Sequence, residues 1–242
     1  DFVCAYFDEC KNSRSGEFYE GQLHHIGNYY DLIRDGESLR IVVIGMSYGH
    51  PPARVTMEER RERILDTGLN YEFKAGNVLP ARNPHMKGTT LLLRQLFKLS
   101  PGTDHESEFL QIDGHKVHMF DAFAMINYLL CSAVEKSDSA SEASTSIMQH
   151  NCQEHFRKTL EILEPTIAVV QGRKFVDLIK ESMDDVVQLD ENGVVFRATL
   201  GKGEFSLLLF SHPSTRGNTN WSREDSTYFQ EIIVPAVKNL SV

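Results

Sequence analysis

The chain has 242 residues, 41% of them hydrophobic and 24% charged, a composition that fits one globular domain with a sizeable core. Its 25 Lys and Arg against 34 Asp and Glu leave a formal charge of -9. That excludes attachment to nucleic acid or anionic membrane by bulk charge, but not a local basic groove.

In chain order, Asp1, Asp8 and Glu9 around the first apolar residues do not read as a signal peptide, so a cytoplasmic protein with reduced thiols is expected. Leu39–Ile44 is an apolar β-branched run of the kind that fills a parallel strand. A loop over Met46–Val55 follows, and Thr56 with Glu59 forms a capping box opening a helix to about Leu65. Leu92, Leu96 and Leu99 predict a helix over Thr89–Leu99. Within the apolar block Val117–Cys131, Asn127 interrupts the run Ala122–Val134, which is shorter than the ~20 residues a bilayer span needs.

Residues 135–146 are Ser-rich and charged, and are expected to form a mobile insertion within a single domain over 1–242. A helix is predicted over Gln153–Leu163, stopped by Pro165, then a buried strand over Thr166–Gln171 ending at Gly172. Phe175, Leu178 and Ile179 predict a further helix. Val186–Leu189 and Val194–Thr199 flank an Asn192-Gly193 turn and read as a hairpin. Phe205–Phe210 is the last buried strand, and a closing helix is expected over Trp221–Asn239. Alternating strands and helices imply an α/β domain, a three-layer α/β/α sandwich around a mostly parallel sheet, with ligands at the carboxyl ends of the strands.

Those ends carry Gly45, Asn127, Gly172 and His212, an imidazole, an amide and open backbone groups that can serve one pocket. No G-x-G-x-x-G fingerprint, Walker loop or H-E-x-x-H is present. Taken singly, His212 reads as a half-buried structural histidine and Asn127 as a turn residue. It is their joint position that points to a site.

The ordered set formed by Gly45-x-x-x-Gly49, Ile126-Asn127-Tyr128-Leu129-Leu130-Cys131, Cys152, Leu163-Glu164-Pro165, Val169-Val170-Gln171-Gly172 and Ser211-His212-Pro213-Ser214 resembles the uracil-DNA glycosylase superfamily, most closely its iron–sulfur branch. The resemblance runs from Cys4 to about Asn239. It implies a DNA repair hydrolase that flips uracil or another deaminated base out of DNA and hydrolyses its N-glycosidic bond. It assigns His212 to the leaving base and Asn127 to the base edge, with Gly45, Met46, Tyr48, His85 and Ser214 lining the pocket. It also implies a 4Fe-4S cluster on Cys4, Cys10, Cys131 and Cys152.

The first motif departs from the family pattern. Gly45-Met46-Ser47-Tyr48-Gly49 stands where the iron–sulfur branch has G-E-A-P-G, so Ser47 replaces a carboxylate as the group that holds water. Five residues separate Cys4 from Cys10 and 20 separate Cys131 from Cys152, against C-x2-C for the family's first pair. Four thiolates also suit tetrahedral zinc, and free buried cysteines are common. Arg54, Arg82, Lys87 and Arg216 are the expected phosphate contacts, while Arg60, Arg61 and Arg63 alternate with glutamates as a solvated helix face. The expected assembly is a monomer acting on DNA. A non-catalytic nucleic-acid or nucleobase binding protein on the same fold is the alternative, and a nucleoside hydrolase a weaker one.

Overall fold

The computed structural model describes residues 4–14, 17–19, 24–34, 36–47, 56–69, 82–100, 102, 104–134 and 144–240. Seven strands form one sheet: β1 (His25–Ile26), β2 (Ile41–Gly45), β3 (Ala124–Asn127), β4 (Ile167–Gln171), β5 (Asp185–Gln188), β6 (Val195–Leu200) and β7 (Gly203–Phe210). Their order across the sheet is β5-β6-β7-β4-β2-β3-β1. The inner four, β7, β4, β2 and β3, run parallel, and β1, β5 and β6 pair antiparallel at the edges. The fold is therefore α/β with a mixed sheet built around a parallel centre.

Side-chain alternation divides the core. Ile41, Val43, Val169, Leu208 and Phe210 face one apolar layer, and Val42, Ile44, Ala168, Val170, Leu207 and Leu209 face the other. The first layer is completed by α2 (Met57–Leu69), α3 (Pro84–Leu96), Trp221 and the closing helix, which includes α6 (Val234–Lys238). The second is completed by α1 (Phe7–Asn12), α4 (Ser146–Leu163) and α5 (Val176–Glu181). Both faces of the central strands are thus covered, which is why those strands read as unbroken apolar runs.

Several boundaries differ from expectation. Helix α3 starts at Pro84, not Thr89, because the Asn83 side chain caps the Met86 N–H at 2.9 Å and Pro84 supplies a preset first turn. Helix α4 starts at Ser146, not Gln153, because Thr145 caps Met148. The rest of the expected insertion, 135–143, lies outside the described residues. The stretch Trp221–Ser226 is loop, and the closing helix passes through a π-helical turn at Phe229–Ile233 before Pro235, whose ring nitrogen has no hydrogen to donate. The Thr56–Glu59 capping box is formed, and α2 extends to Leu69. Among the described residues, no helix is long and apolar enough to cross a membrane.

Candidate functional site

The chain leaves β2 over one face and crosses to β3. It then returns over the opposite face to β4, on the other side of β2. The connections diverge between β2 and β4, and a crevice forms beyond the carboxyl ends of such a pair. Those ends bring together Gly45, Gln171 and, one strand further out, Asn127. Gly45 is in register with Asn127, and the β4–β2 register continued by one residue sets Gln171 beside Gly45. All three belong to the face that packs on α3, by the alternation that puts Val43, Met125 and Val169 there.

A Cβ at position 45 would lie 3.0 Å from Asn127 Oδ1, so the Asn127 amide would have to give by a few tenths of an ångström. The absence of a side chain at Gly45 thus lets the Asn127 amide oxygen come close to the β2 backbone. The backbone around it is strapped down: the N–H groups of Tyr128 and Leu129 donate to the carbonyls of Gly45 and Met46, each at 2.9 Å. That holds half-buried Met46 and Ser47 next to Asn127. Asn127 is buried, its backbone N–H donates to His24 Nδ1 at 3.4 Å, and its side-chain amide makes no hydrogen bond among the described residues.

His212 follows β7 on a tightly held loop. Trp221, fully buried, donates from Nε1 to the Ser211 carbonyl at 2.7 Å, and Ser211 Oγ donates to the Thr219 carbonyl at 2.6 Å. Pro213 lies against Gly88 of α3, where a Cβ would come within 2.6 Å of the proline ring. This contact seats the loop on α3 and stacks the His212 and His85 rings, 5.2 Å between centroids and 18° from parallel. The Ser214 N–H donates to His212 Nδ1 at 3.2 Å, and Ser214 Oγ lies 2.7 Å from the same atom. An Nδ1 that accepts from a backbone N–H carries no proton, so the neutral ring bears its hydrogen on Nε2. His212 is exposed at the surface, and its partial desolvation against the loop moves its pKa below the usual histidine value, in the direction of that neutral ring.

The structure thus gathers His212, Asn127, Gly45, Met46, Ser47, His85 and Ser214 at one end of the sheet. Tyr48 and Arg54 lie outside the described residues. Half-buried Lys87 in α3 and exposed Arg216 flank the His85–His212 stack in sequence. Arg82 is a correction: it is not a loop cation available to phosphate but is 5% exposed. Its guanidinium clasps Glu108 at 2.9 and 2.6 Å and also donates to Thr90 Oγ1. Gln171, with no sequence signature beyond an amide at the end of an apolar strand, is the polar group that sequence reasoning missed.

Three cysteines, Cys10, Cys131 and Cys152, are buried in one apolar cluster between α1, α4 and the segment after β3, and Cys4 is half-buried before α1. Burial pushes the Cys152 thiol up to about 11. The Leu130 backbone hydrogen bond opposes that rise, and neighbouring Cys10 and Cys4 add to it. Among the described residues the sulfurs are not gathered for one ion, since no three lie within 4.8 Å of one another. A tetrahedral zinc site with Zn–S bonds of ~2.3 Å holds its sulfurs about 3.8 Å apart.

The compact ligand-like group is elsewhere. His105, Glu108 and His118 offer atoms within 4.8 Å of one another. Glu108 is fully buried and already holds Arg82 and Arg94, at 2.6 and 3.2 Å, and His118 Nε2 at 3.1 Å. Burial alone would raise its pKa, but the hydrogen bonds from His118 and Arg82 and their charges hold it at about 2. His118 Nδ1 accepts from the Phe120 N–H, so Nε2 carries the proton given to Glu108. Two guanidinium charges beside one carboxylate oppose a further cation, and the group reads as the brace under α3.

A cavity of about 510 Å³ lies at the opposite, amino-terminal edge of the sheet, lined by Arg34, Leu39, Lys98, Ile167 and Lys238. None of the sequence-predicted site residues borders it. No protein-family model matches the chain, and no curated protein matches it.

Proposed function

We propose that the chain is a DNA-base glycosylase related to the uracil-DNA glycosylase superfamily. The reading is carried by one observation: His212 is held through Nδ1 by Ser214, which leaves its hydrogen on Nε2, at the same sheet end as Asn127 and Gly45. In N-glycoside hydrolysis the C1′–N bond breaks, its electron pair goes to the base, and water adds to C1′. The Nε2–H of His212 donates to a base carbonyl oxygen as negative charge develops there. Asn127 reads the base edge, the crevice above Gly45 admits the flat ring, and Ser47 holds the water. His85 stacks behind His212, and Lys87 and Arg216 meet phosphates. By the resemblance, Cys4, Cys10, Cys131 and Cys152 would hold a 4Fe-4S cluster, which would tie the amino-terminal segment to α4 and supply no chemistry to the cleavage.

The absence of a carboxylate from Gly45-Met46-Ser47 favours a second reading, a nucleobase or nucleic-acid binder on the same fold. Oligonucleotides carrying single uracil, hypoxanthine or xanthine residues separate the two. Abasic product, seen as alkali-labile strand breaks, supports the glycosylase. Retarded DNA with no abasic product supports the binder.

A further inference from the structure

Gln171 is 1% exposed, and the fate of its amide is settled by its neighbours. Its Nε2 donates to Thr89 Oγ1 at 3.1 Å, while Thr89 Oγ1 donates its own hydrogen to the His85 carbonyl at 3.1 Å. With that hydroxyl proton engaged, Thr89 accepts from Gln171, and this chain of bonds favours the orientation that turns Nε2 to Thr89 and Oε1 away from it. Its Oε1 is left buried with no hydrogen-bond donor among the described residues. A buried acceptor without a donor is costly, and native structures rarely keep one without a role.

The place of this oxygen gives it one. Gln171 shares its sheet face with Gly45 and Asn127, two strands away, so the two amides flank Gly45 with their backbones roughly 10 Å apart. Among the described residues Asn127 has no hydrogen bond to hold its amide in one orientation, and a turn of half a circle exchanges its donor and acceptor. Asn127 can therefore bond the edge of whichever base is seated, and the choice between uracil and cytosine calls for a second, better fixed group. Gln171 is that group.

We infer that Gln171 Oε1 is the pocket's fixed acceptor, and that it selects bases with a lactam N–H, such as N3–H of uracil, over bases that present a bare ring nitrogen there, such as N3 of cytosine. The inference rests on the glycosylase or nucleobase-binding reading of this site. A base reaches the oxygen by parting the side chains that cover the strand ends. Once it is seated, the pocket is dry, and a bare nitrogen set against Oε1 leaves two acceptors facing each other.

The test is calorimetric titration of the whole chain with free uracil and free cytosine, in the wild type, Gln171→Met and Thr89→Val. Gln171→Met removes the lone acceptor at nearly constant shape, so its melting temperature is expected to match or exceed that of the wild type. Thr89→Val keeps the acceptor and frees the amide to turn. The expected result is a wild-type preference for uracil of about ten- to a hundredfold that collapses toward unity in both variants. A preference that survives in both variants, or equal wild-type binding of the two bases, overturns the role of Gln171 and leaves the function of the site standing. Failure of both bases to bind the wild type overturns the nucleobase reading and this inference with it.

Discussion

Glu108→Gln is expected to be the most damaging single polar substitution in the described part of the molecule. The carboxylate is fully buried and receives four hydrogen bonds: two from Arg82, at 2.9 and 2.6 Å, one from Arg94 at 3.2 Å and one from His118 at 3.1 Å. Gln keeps one acceptor oxygen but turns an NH2 group toward the guanidinium groups, leaving the two buried cations without an anion. Breaking a buried pair in this way costs about 3–5 kcal/mol. Urea unfolding followed by circular dichroism measures it as a lower midpoint at unchanged slope. The same carboxylate sets the acid response. Its folded pKa of about 2 lies below the ordinary carboxylate value of 4.5, so its stabilisation is present above pH 4.5 and is lost as pH falls from there through 2. A shift of that size is worth about 3 kcal/mol. Burial also lowers the pKa of His118 below the usual histidine value of 6.5, so stability declines further as pH falls below 6.5 and the buried ring is forced to charge. Loss of less than about 1 kcal/mol in Glu108→Gln at pH 7, where an exposed pair would fall, would refute the buried-network reasoning.

Gly88→Ala gains helix propensity of about 1 kcal/mol but drives a Cβ into Pro213, so the His212 loop has to lift from α3. Retained stability together with at least tenfold weaker uracil binding is expected from thermal melts and titration, and unchanged binding would show that the contact does not position His212. Anaerobically purified protein is expected to contain iron and acid-labile sulfide, and Cys152→Ala to lose both; protein with neither would end the cluster proposal. Arg82→Ala is expected to lower the unfolding midpoint as Glu108→Gln does, while Arg216→Ala weakens DNA binding with a shallower salt dependence and leaves the midpoint unchanged. DNA titration at several salt concentrations distinguishes the two.

The central strands were legible because they are buried on both faces: Ile41–Ile44 and Ile167–Val170 carry no polar residue to interrupt the pattern. Helix starts were harder to place, because α3 and α4 begin on single side-chain caps, Asn83 and Thr145, that propensity alone does not single out. The strand-end histidine, asparagine and glycine were found because the topology of an α/β sheet says where to look. Arg82 was misread because sequence shows a cation near a loop and not the Glu108 that closes on it from 26 residues away. Gln171 was missed because its significance lies in a hydrogen-bond chain through Thr89 to His85, which joins β4 to α3 and leaves no local pattern.

The central claim is that the sheet end around His212 breaks an N-glycosidic bond. The direct measurement is single-turnover release of uracil from a single-stranded oligonucleotide by the wild type and by His212→Ala, with folding of the variant checked by thermal melting. The account predicts abasic product from the wild type and a rate lower by about 10²–10³ in a variant that still folds, the scale seen when one donor to a developing oxyanion is removed. Equal rates in the two proteins would contradict the role of His212, and no uracil release by the wild type would contradict the claim itself.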